Sequence, residues 1–311
     1  KPIERVGVYV PGGTASYPSS VLMNIIPAQI AGVEEIAVCI PPGKNGNINK
    51  YVLAALDFVK EYEVYRVGGA QAIAALAYGT QTIKKVSKIT GPGNIYVALA
   101  KKEVYGVVDI DMIAGPSEIL IIADESADSM FIAADMLAQA EHDQDAISTL
   151  VTNSENIAKN TIKELKKQIE GLKRKDITKK AIKNNGKILV IKDIDDAVEI
   201  ANYAAPEHLE IMVKNPKKLL KKIKNAGSIF LGNNTPEVAG DYVAGPNHIL
   251  PTSSTARFFS PLSTESFLKK SSFLELSKNG LKKMIPHIKV LASIEGLDAH
   301  AKAAEIREED K

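Results

Sequence analysis

The chain has no tryptophan, a single cysteine and only 5% aromatic residues among 311. A lone thiol, Cys39, excludes an internal disulfide and any cysteine-rich metal knuckle, and it suits a reducing, cytoplasmic setting. Net charge is missing too. With 39 basic side chains against 37 acidic ones the formal balance is +2, so no global field would recruit nucleic acid or an anionic membrane. Lysines gather between Lys163 and Lys187, but they are interleaved with Glu, Asp, Ile and Leu and have no aromatic platform for a base. That is the composition of a solvated helical face. No apolar run is long enough to span a bilayer, since residues 21–40 are broken by Pro27 and Glu34-Glu35, and no segment reads as a signal peptide.

What is present is a repeated unit. The apolar run Val6-Gly7-Val8-Tyr9-Val10 leads into Pro11-Gly12-Gly13-Thr14, and after Pro18-Ser19-Ser20 the apolar spacing turns helical to about Ala31. Strand, glycine turn and helix open a parallel βα unit. The pattern recurs as residues 36–40 run into Pro41-Pro42-Gly43, 64–67 into Gly68-Gly69-Ala70-Gln71, and 86–90 into Gly91-Pro92-Gly93-Asn94. In an open parallel sheet the carboxyl ends of the strands share one edge, where ligands bind. Glycine lets backbone N–H groups close on a phosphate there, and the following helix N-terminus favours its charge. The recurrence points to a dinucleotide. Any one turn is equally an ordinary tight turn, and the Gly-x-Gly-x-x-Gly fingerprint is absent.

A second α/β series follows, with strands over 119–123, 148–152, 187–191, 209–213 and 228–231, a Lys-rich helix to about Leu172, and helices over 197–203 and 216–224. From Ser260 onward helical spacing takes over, at 267–276, 281–291 and 294–308. The expectation is an α/β protein of two incomplete Rossmann-like parallel-sheet domains. Residues 1–117 form the dinucleotide side and 118–259 the metal and catalytic side, followed by a helical tail, 260–311, too thin for a core of its own and packed on something else, such as another subunit.

The chain is organised around residues 111–142. Asp111-Met112-Ile113-Ala114-Gly115-Pro116-Ser117-Glu118 precedes a β-branched strand, and an Ala-rich helix then closes on Gln139-Ala140-Glu141-His142. Gln139 and His142, three apart on that helix, would share one patch and supply half of a metal site; alone, such a pair is equally a helix cap or a solvated face. There are five histidines. His208 follows Glu207 in Ala205-Pro206-Glu207-His208, and an acid beside an imidazole can serve two successive proton transfers, although two polar residues on a surface loop look the same. Asp241 and His248 share the glycine-rich segment 240–248, expected as a loop. Glu295 and His300, five apart in the terminal helical segment, are by default solvated. His287, after Pro286 at an expected helix break, receives no role. Cys39 is considered as a thiol nucleophile, but it lies in an apolar run without a neighbouring His or cation and reads as buried and structural.

The run Ile110-Asp111-Met112-Ile113-Ala114-Gly115-Pro116-Ser117-Glu118 through Gln139-Ala140-Glu141-His142 closely resembles the signature of the histidinol dehydrogenases. So do Gly68-Gly69-Ala70-Gln71-Ala72, Gly91-Pro92-Gly93-Asn94, Pro206-Glu207-His208-Leu209, Gly240-Asp241-Tyr242 and Asn247-His248-Ile249-Leu250-Pro251-Thr252, in the family's order from Pro2 to the C-terminal helix. The resemblance implies oxidation of L-histidinol to L-histidine in two NAD-dependent steps through histidinaldehyde. It assigns zinc to Gln139, His142, Asp241 and His300, where manganese is also chemically acceptable. The acid/base pair would be Glu207 and His208, substrate contacts would include Ser117, His248 and Glu295, and NAD contacts would be Tyr9, Gln71 and Asn94. It further implies an intertwined homodimer in which Glu295 and His300 reach the neighbour's site. Family members ordinarily carry a further N-terminal segment before the strand at Val6. On the residues alone two other readings stay open: a metal-dependent hydrolase with Glu207 as base, and a shortened, non-catalytic relative that binds a small ligand or another chain.

Overall fold

The computed structural model describes residues 1–12, 17–43, 45–60 and 63–308. Its strands are short, rich in Val and Ile, and apolar on both sides, which suits parallel sheets covered by helices on both faces. The first sheet contains β1 (Arg5–Tyr9), β2 (Glu35–Cys39), β3 (Glu63–Tyr65), β4 (Lys88–Thr90) and β5 (Asp109–Ile110), in the order β3-β2-β1-β4-β5 and parallel throughout. Its crossovers are α1 (Pro18–Ala31), α2 (Lys50–Val59), α3 (Gly69–Tyr78) and α4 (Ile95–Val104). Val6, Val8 and Val10 pack with α1 and α2 on one face, while Tyr9, Ala37 and Cys39 pack with α3 and α4 on the other.

The second sheet contains β6 (Glu118–Ala123), β7 (Ile147–Thr152), β8 (Lys187–Val190), β9 (His208–Met212) and β10 (Ser228–Leu231), in the order β10-β9-β6-β7-β8 and again parallel. Counted within its own half, each sheet has the strand order third, second, first, fourth, fifth, so one plan is used twice. Its helices are α5 (Ser129–Ala140), α6 (Glu155–Gln168), α7 (Lys175–Asn185), α8 (Asp196–Ala204), α9 (Pro216–Leu220) and α10 (Glu237–Tyr242). Ile119 and Ile121 face α5 and α6, and Leu120 and Ile122 face α8 and α9. Each such buried aliphatic contributes about 1.5–3 kcal/mol relative to exposure. The lysine cluster lies on the solvent sides of α6 and α7, where Lys159, Lys167 and Lys179 pair with Glu155, Glu164 and Glu170.

After α10 the chain returns to the first sheet. Ile249, Leu262 and Phe267 join the core of β1, α1 and α2; the Asn247 side-chain amide donates to the Met23 carbonyl at 2.7 Å, and the Ile3 N–H donates to Phe267 O at 2.9 Å. This packing overrides the helical spacing read at 267–276. Phe267 is fully buried and Leu268 bridges Pro2, so Thr264–Phe267 makes only a 3-10 turn, and no helix forms until the Ser277 side chain caps α11 (Lys278–Ile294). Pro286, expected to break a helix, lies inside α11, and α12 (Asp298–Glu305) follows. Lys1–Leu268 form one compact unit and Lys269–Lys311 a second. In the second unit Lys289 of α11 pairs with Glu305 of α12, and the buried residues of the two helices are Ile285, Ala292 and Ala304. Among the described residues no helix is long and apolar enough to cross a membrane.

At the carboxyl edge of the first sheet the turn after β4 presses on β1. Gly91 has φ +110°, and a Cβ there would lie 2.0 Å from the Tyr9 carbonyl oxygen. Neither the backbone angle nor the space admits a side chain. Gly91→Ala is expected to destabilise the fold by about 3 kcal/mol, read as a lower urea midpoint at unchanged slope.

Candidate active site

Of the titratable residues singled out by sequence, His142, Glu207, His208, Asp241 and His248 converge on the amino edge of the second sheet, the edge opposite to the one where open parallel sheets usually bind ligands. Strand register sets this. His208, the first residue of β9, is level with Ile119 of β6 and Ser228 of β10. Ala205 before it is a non-glycine residue in the left-handed region at φ +46°, so the chain turns sharply into Pro206 and Glu207. Neighbouring side chains that strand alternation would send to opposite faces therefore meet, with Glu207 Oε2 3.7 Å from His208 Nδ1. The Glu118 N–H holds Glu207 by donating to Oε2 at 2.9 Å. Ser117, beside Glu118, gives its carbonyl to Ile147 N–H.

The metal-ligand expectations meet on the same side. His208 Nε2 is 3.8 Å from Asp241 Oδ1, an ion-pair distance rather than a hydrogen bond, and neither nitrogen of the buried imidazole has a hydrogen-bond partner. His142, Asp241 and Glu237 place one donor atom each within 4.8 Å of one another. Gln139, in the last turn of α5, is buried with Oε1 unpartnered, and His248 Nδ1 lies 3.1 Å from the Asp241 carbonyl. Two local expectations change. His142 lies past the Glu141 C-cap rather than on the helix, because the helix ends at Ala140, and Asp241 sits on α10 rather than in a loop. Glu295, at the C-cap of α11, and His300, in α12, belong to the second unit.

Sequence reading missed Glu237. It is 1% exposed with both carboxyl oxygens unpartnered, and it stands one helical turn before Asp241, so both project from one face of α10. Its N–H donates to Glu210 Oε1 at 2.8 Å. Glu210 also faces Asp135 of α5, two buried carboxyls behind the site. The available signals were an i, i+4 acid pair after Pro236, and a Glu two residues beyond His208 in an otherwise apolar strand. A carboxylate left unsatisfied in the interior is costly, so an orphaned Glu237, Gln139 oxygen and His208 ring are groups that call for a cation and a polar ligand. Mixed N and O donors of this kind suit zinc or manganese.

The electrostatics follow from burial. Desolvation raises Glu207 to about 7, against the pull of His208, and raises Glu237 to about 8. Burial alone would lower His208, but Glu207, Asp241 and Glu237 together raise it to about 10. His142 is lowered by desolvation, with Asp241 opposing. Asp135 is raised by burial to about 6, and Glu210 is raised well above the carboxylate range by burial and by Asp135. Cys39, buried in β2, is pushed up by desolvation to about 12, which removes it from thiolate chemistry at neutral pH.

At the carboxyl edge of the first sheet the three residues assigned to NAD stand around one crevice. Tyr9 ends β1, and its hydroxyl accepts from the Gly69 N–H at 3.1 Å. Gln71 lies in the first turn of α3, where the Gly68 N-cap offers no side chain and the Gly69 N–H is already taken by Tyr9. Asn94 caps α4, accepting from Tyr96 and Val97 N–H. β1 and β4 are adjacent but connect outward in opposite directions, so the crevice is a topological switch point.

Glu207, Glu237 and His208 all hold protons more tightly folded than unfolded, so the stability they provide is full at low pH and is lost as pH rises through about 7, about 8 and about 10. Metal-free protein is therefore expected to show a melting temperature that falls from roughly pH 6 to pH 9, with a shallower slope in Glu207→Gln and after zinc addition. Thermal unfolding in chelator against zinc checks this.

The family model described as histidinol dehydrogenase matches residues 1–308. The histidinol dehydrogenase of Listeria innocua is 59% identical over 311 residues, covering 100% of this chain and 73% of the relative, and that of Bacillus cereus is 55% identical, covering 100% and 72%. The crystal structure of histidinol dehydrogenase from Elizabethkingia anophelis superposes with a TM-score of 0.94 at 44% identity, over 99% of this chain and 71% of that one. Sequence and fold thus agree over nearly every residue, and the chain belongs to the histidinol dehydrogenase family, oxidoreductases of histidine biosynthesis.

Proposed function

We propose that the chain oxidises L-histidinol to L-histidine in two NAD-dependent steps through histidinaldehyde, with Glu207 and His208 as the acid/base pair. The observation that carries the reading is a buried imidazole, both nitrogens unpartnered, set between Glu207 and Asp241 and beside the His142–Glu237–Asp241 donor group. When bound, zinc on Gln139, His142 and Asp241 would orient the substrate's amine and imidazole and offset the local negative charge, and NAD would accept the hydrides.

With the carboxylate charge that raises its pKa offset by a bound cation, His208 would be neutral and would take the hydroxyl proton of histidinol as the carbinol carbon gives up its hydride. Glu207, with its proton affinity near neutrality, takes a proton from the water that adds to the aldehyde carbonyl while His208 returns its proton to the carbonyl oxygen, which leaves the imidazole free again. His208 then takes a proton from the hydrated aldehyde as its second hydride leaves, giving the carboxylate product. The Glu118 N–H keeps Glu207 turned toward the imidazole. Ser117 and His248 lie on the segments that border this pair and serve as substrate contacts. Tyr9, Gln71 and Asn94 serve the dinucleotide. No thiol takes part, in keeping with the buried, high-pKa Cys39. On the family resemblance, Glu295 and His300 reach the site of the neighbouring subunit in a homodimer; the small number of buried side chains on α11 and α12 supports that reading. A cytoplasmic location fits the single buried thiol.

Zinc-loaded protein given L-histidinol is expected to form two NADH per substrate, to stop in chelator and to recover with zinc. His208→Ala should lower kcat by about 10²–10⁴. Glu207→Gln should impair oxidation of supplied histidinaldehyde more than the first NADH formed from histidinol. Absence of NADH from the zinc-loaded protein overturns the reading.

A further inference from the structure

Beneath the crevice of the first sheet lies an ion pair that the chemistry above does not use. Lys101, on the inner face of α4, is 1% exposed, and its ammonium pairs with Asp111, just beyond β5. Both partners also grip a single residue, through the two peptide groups that flank its Cα. Lys101 Nζ donates to the Gly91 carbonyl at 3.0 Å, and the Gly91 N–H donates to Asp111 Oδ2 at 2.7 Å. Asp111 is held in turn, since its Oδ1 accepts from the Met112 N–H at 2.6 Å and its own N–H donates to Ile89 O at 3.2 Å.

A buried pair of this kind is a poor source of stability, because desolvating two charges offsets most of their attraction, and apolar residues of similar volume serve as well or better. What it supplies is position. β4 pairs with β5 as far as Ile89 and Ile110 and with β1 as far as Thr90 and Val8, so at Gly91 the sheet ladder has ended on both sides. Gly91, in a backbone conformation closed to other residues and pressed against Tyr9, leads into Pro92, Gly93 and the Asn94 cap of α4. The turn carrying Asn94 thus begins at a residue whose N–H is held by Asp111 and whose carbonyl is held by Lys101.

Resting on the NAD assignment above, we infer that Lys101 and Asp111 are positioning residues for the dinucleotide, acting through the Gly91–Pro92–Gly93–Asn94 turn. The test is calorimetric titration of zinc-loaded protein with NAD, together with steady-state kinetics. For Lys101→Met combined with Asp111→Asn, which leaves no buried charge, the expectation is a tenfold or greater rise in the NAD Kd. The KM for NAD should rise in step, with a much smaller fall in kcat, while zinc content and the Kd for histidinol stay at wild-type values. Lys102→Met, on the exposed neighbour, should change nothing. An NAD Kd within twofold of wild type in the folded double variant overturns the inference and leaves the proposed function standing. Failure of the wild-type protein to bind NAD overturns both. Should the double variant not fold, the isosteric Asp111→Asn alone decides: a threefold or greater loss of NAD affinity supports the inference, and an unchanged affinity overturns it.

Discussion

Negative charge buried around a single imidazole is the constraint on which the second sheet depends. Asp135, Glu207, Glu210 and Glu237 are all buried on or beside β9 and α10, with Asp241 at their margin. Carboxylates withdrawn from water must take up a proton, find a cation or be paid for elsewhere. Three of the solutions are internal. Asp135 and Glu210 face each other with raised proton affinity, Glu207 shares His208, and Asp241 is drawn to the same ring. Glu237 is held toward its protonated form, raised by burial to about 8, and neither of its oxygens has a hydrogen-bond partner among the described residues. The dry surroundings that the covered sheet provides are what give these groups their leverage, because a charge arriving there acts at low dielectric.

Much of this architecture can be read from the amino-acid order, and the reasons are physical. Short β-branched runs ending in glycine turns announce parallel strands, because a strand covered on both faces has to be apolar throughout and the turn after it has to let backbone approach backbone. Glu207 and His208 stand out because two ionisable residues interrupt an apolar strand's start. What stays hidden is what tertiary packing decides. The helical spacing at 267–276 is real as a pattern, but Phe267 gains more by filling the first sheet's core than a short helix gains from its own hydrogen bonds. The glycines around Asp241 suggest a loop, yet Gly240 lies against the Phe230 ring, where any Cβ would clash, so its lack of a side chain serves close packing within a helix. Glu237 was passed over because one acid on a short polar stretch is indistinguishable from a solvated residue until burial is known.

Lys101 gives the same lesson with the opposite sign. In sequence it is one of two adjacent lysines at the end of a helix, where cations are commonplace opposite the helix dipole. Only the fold shows that Lys102 faces solvent while Lys101 turns inward to a carboxylate and a peptide carbonyl. Ion-pair partners distant in sequence, such as Lys88 with Asp109 and Arg5 with Glu35 and Glu63, likewise become visible only once strand order is known.

The repeated strand plan raises the question of why its two copies do not receive ligands alike. At the carboxyl edge of the second sheet, between β6 and β9, the Asp124 carboxylate accepts from the N–H and hydroxyl of Ser126 and from the Lys214 N–H. Two of these donors are backbone amides and one is a hydroxyl, the kinds of group that bind an anion. A carboxylate tethered to the chain is a resident anion that a dissolved one would have to displace. In the second copy of the plan these donors are thus already partnered within the chain, and it is the opposite end of that sheet that carries the buried acids and the imidazole.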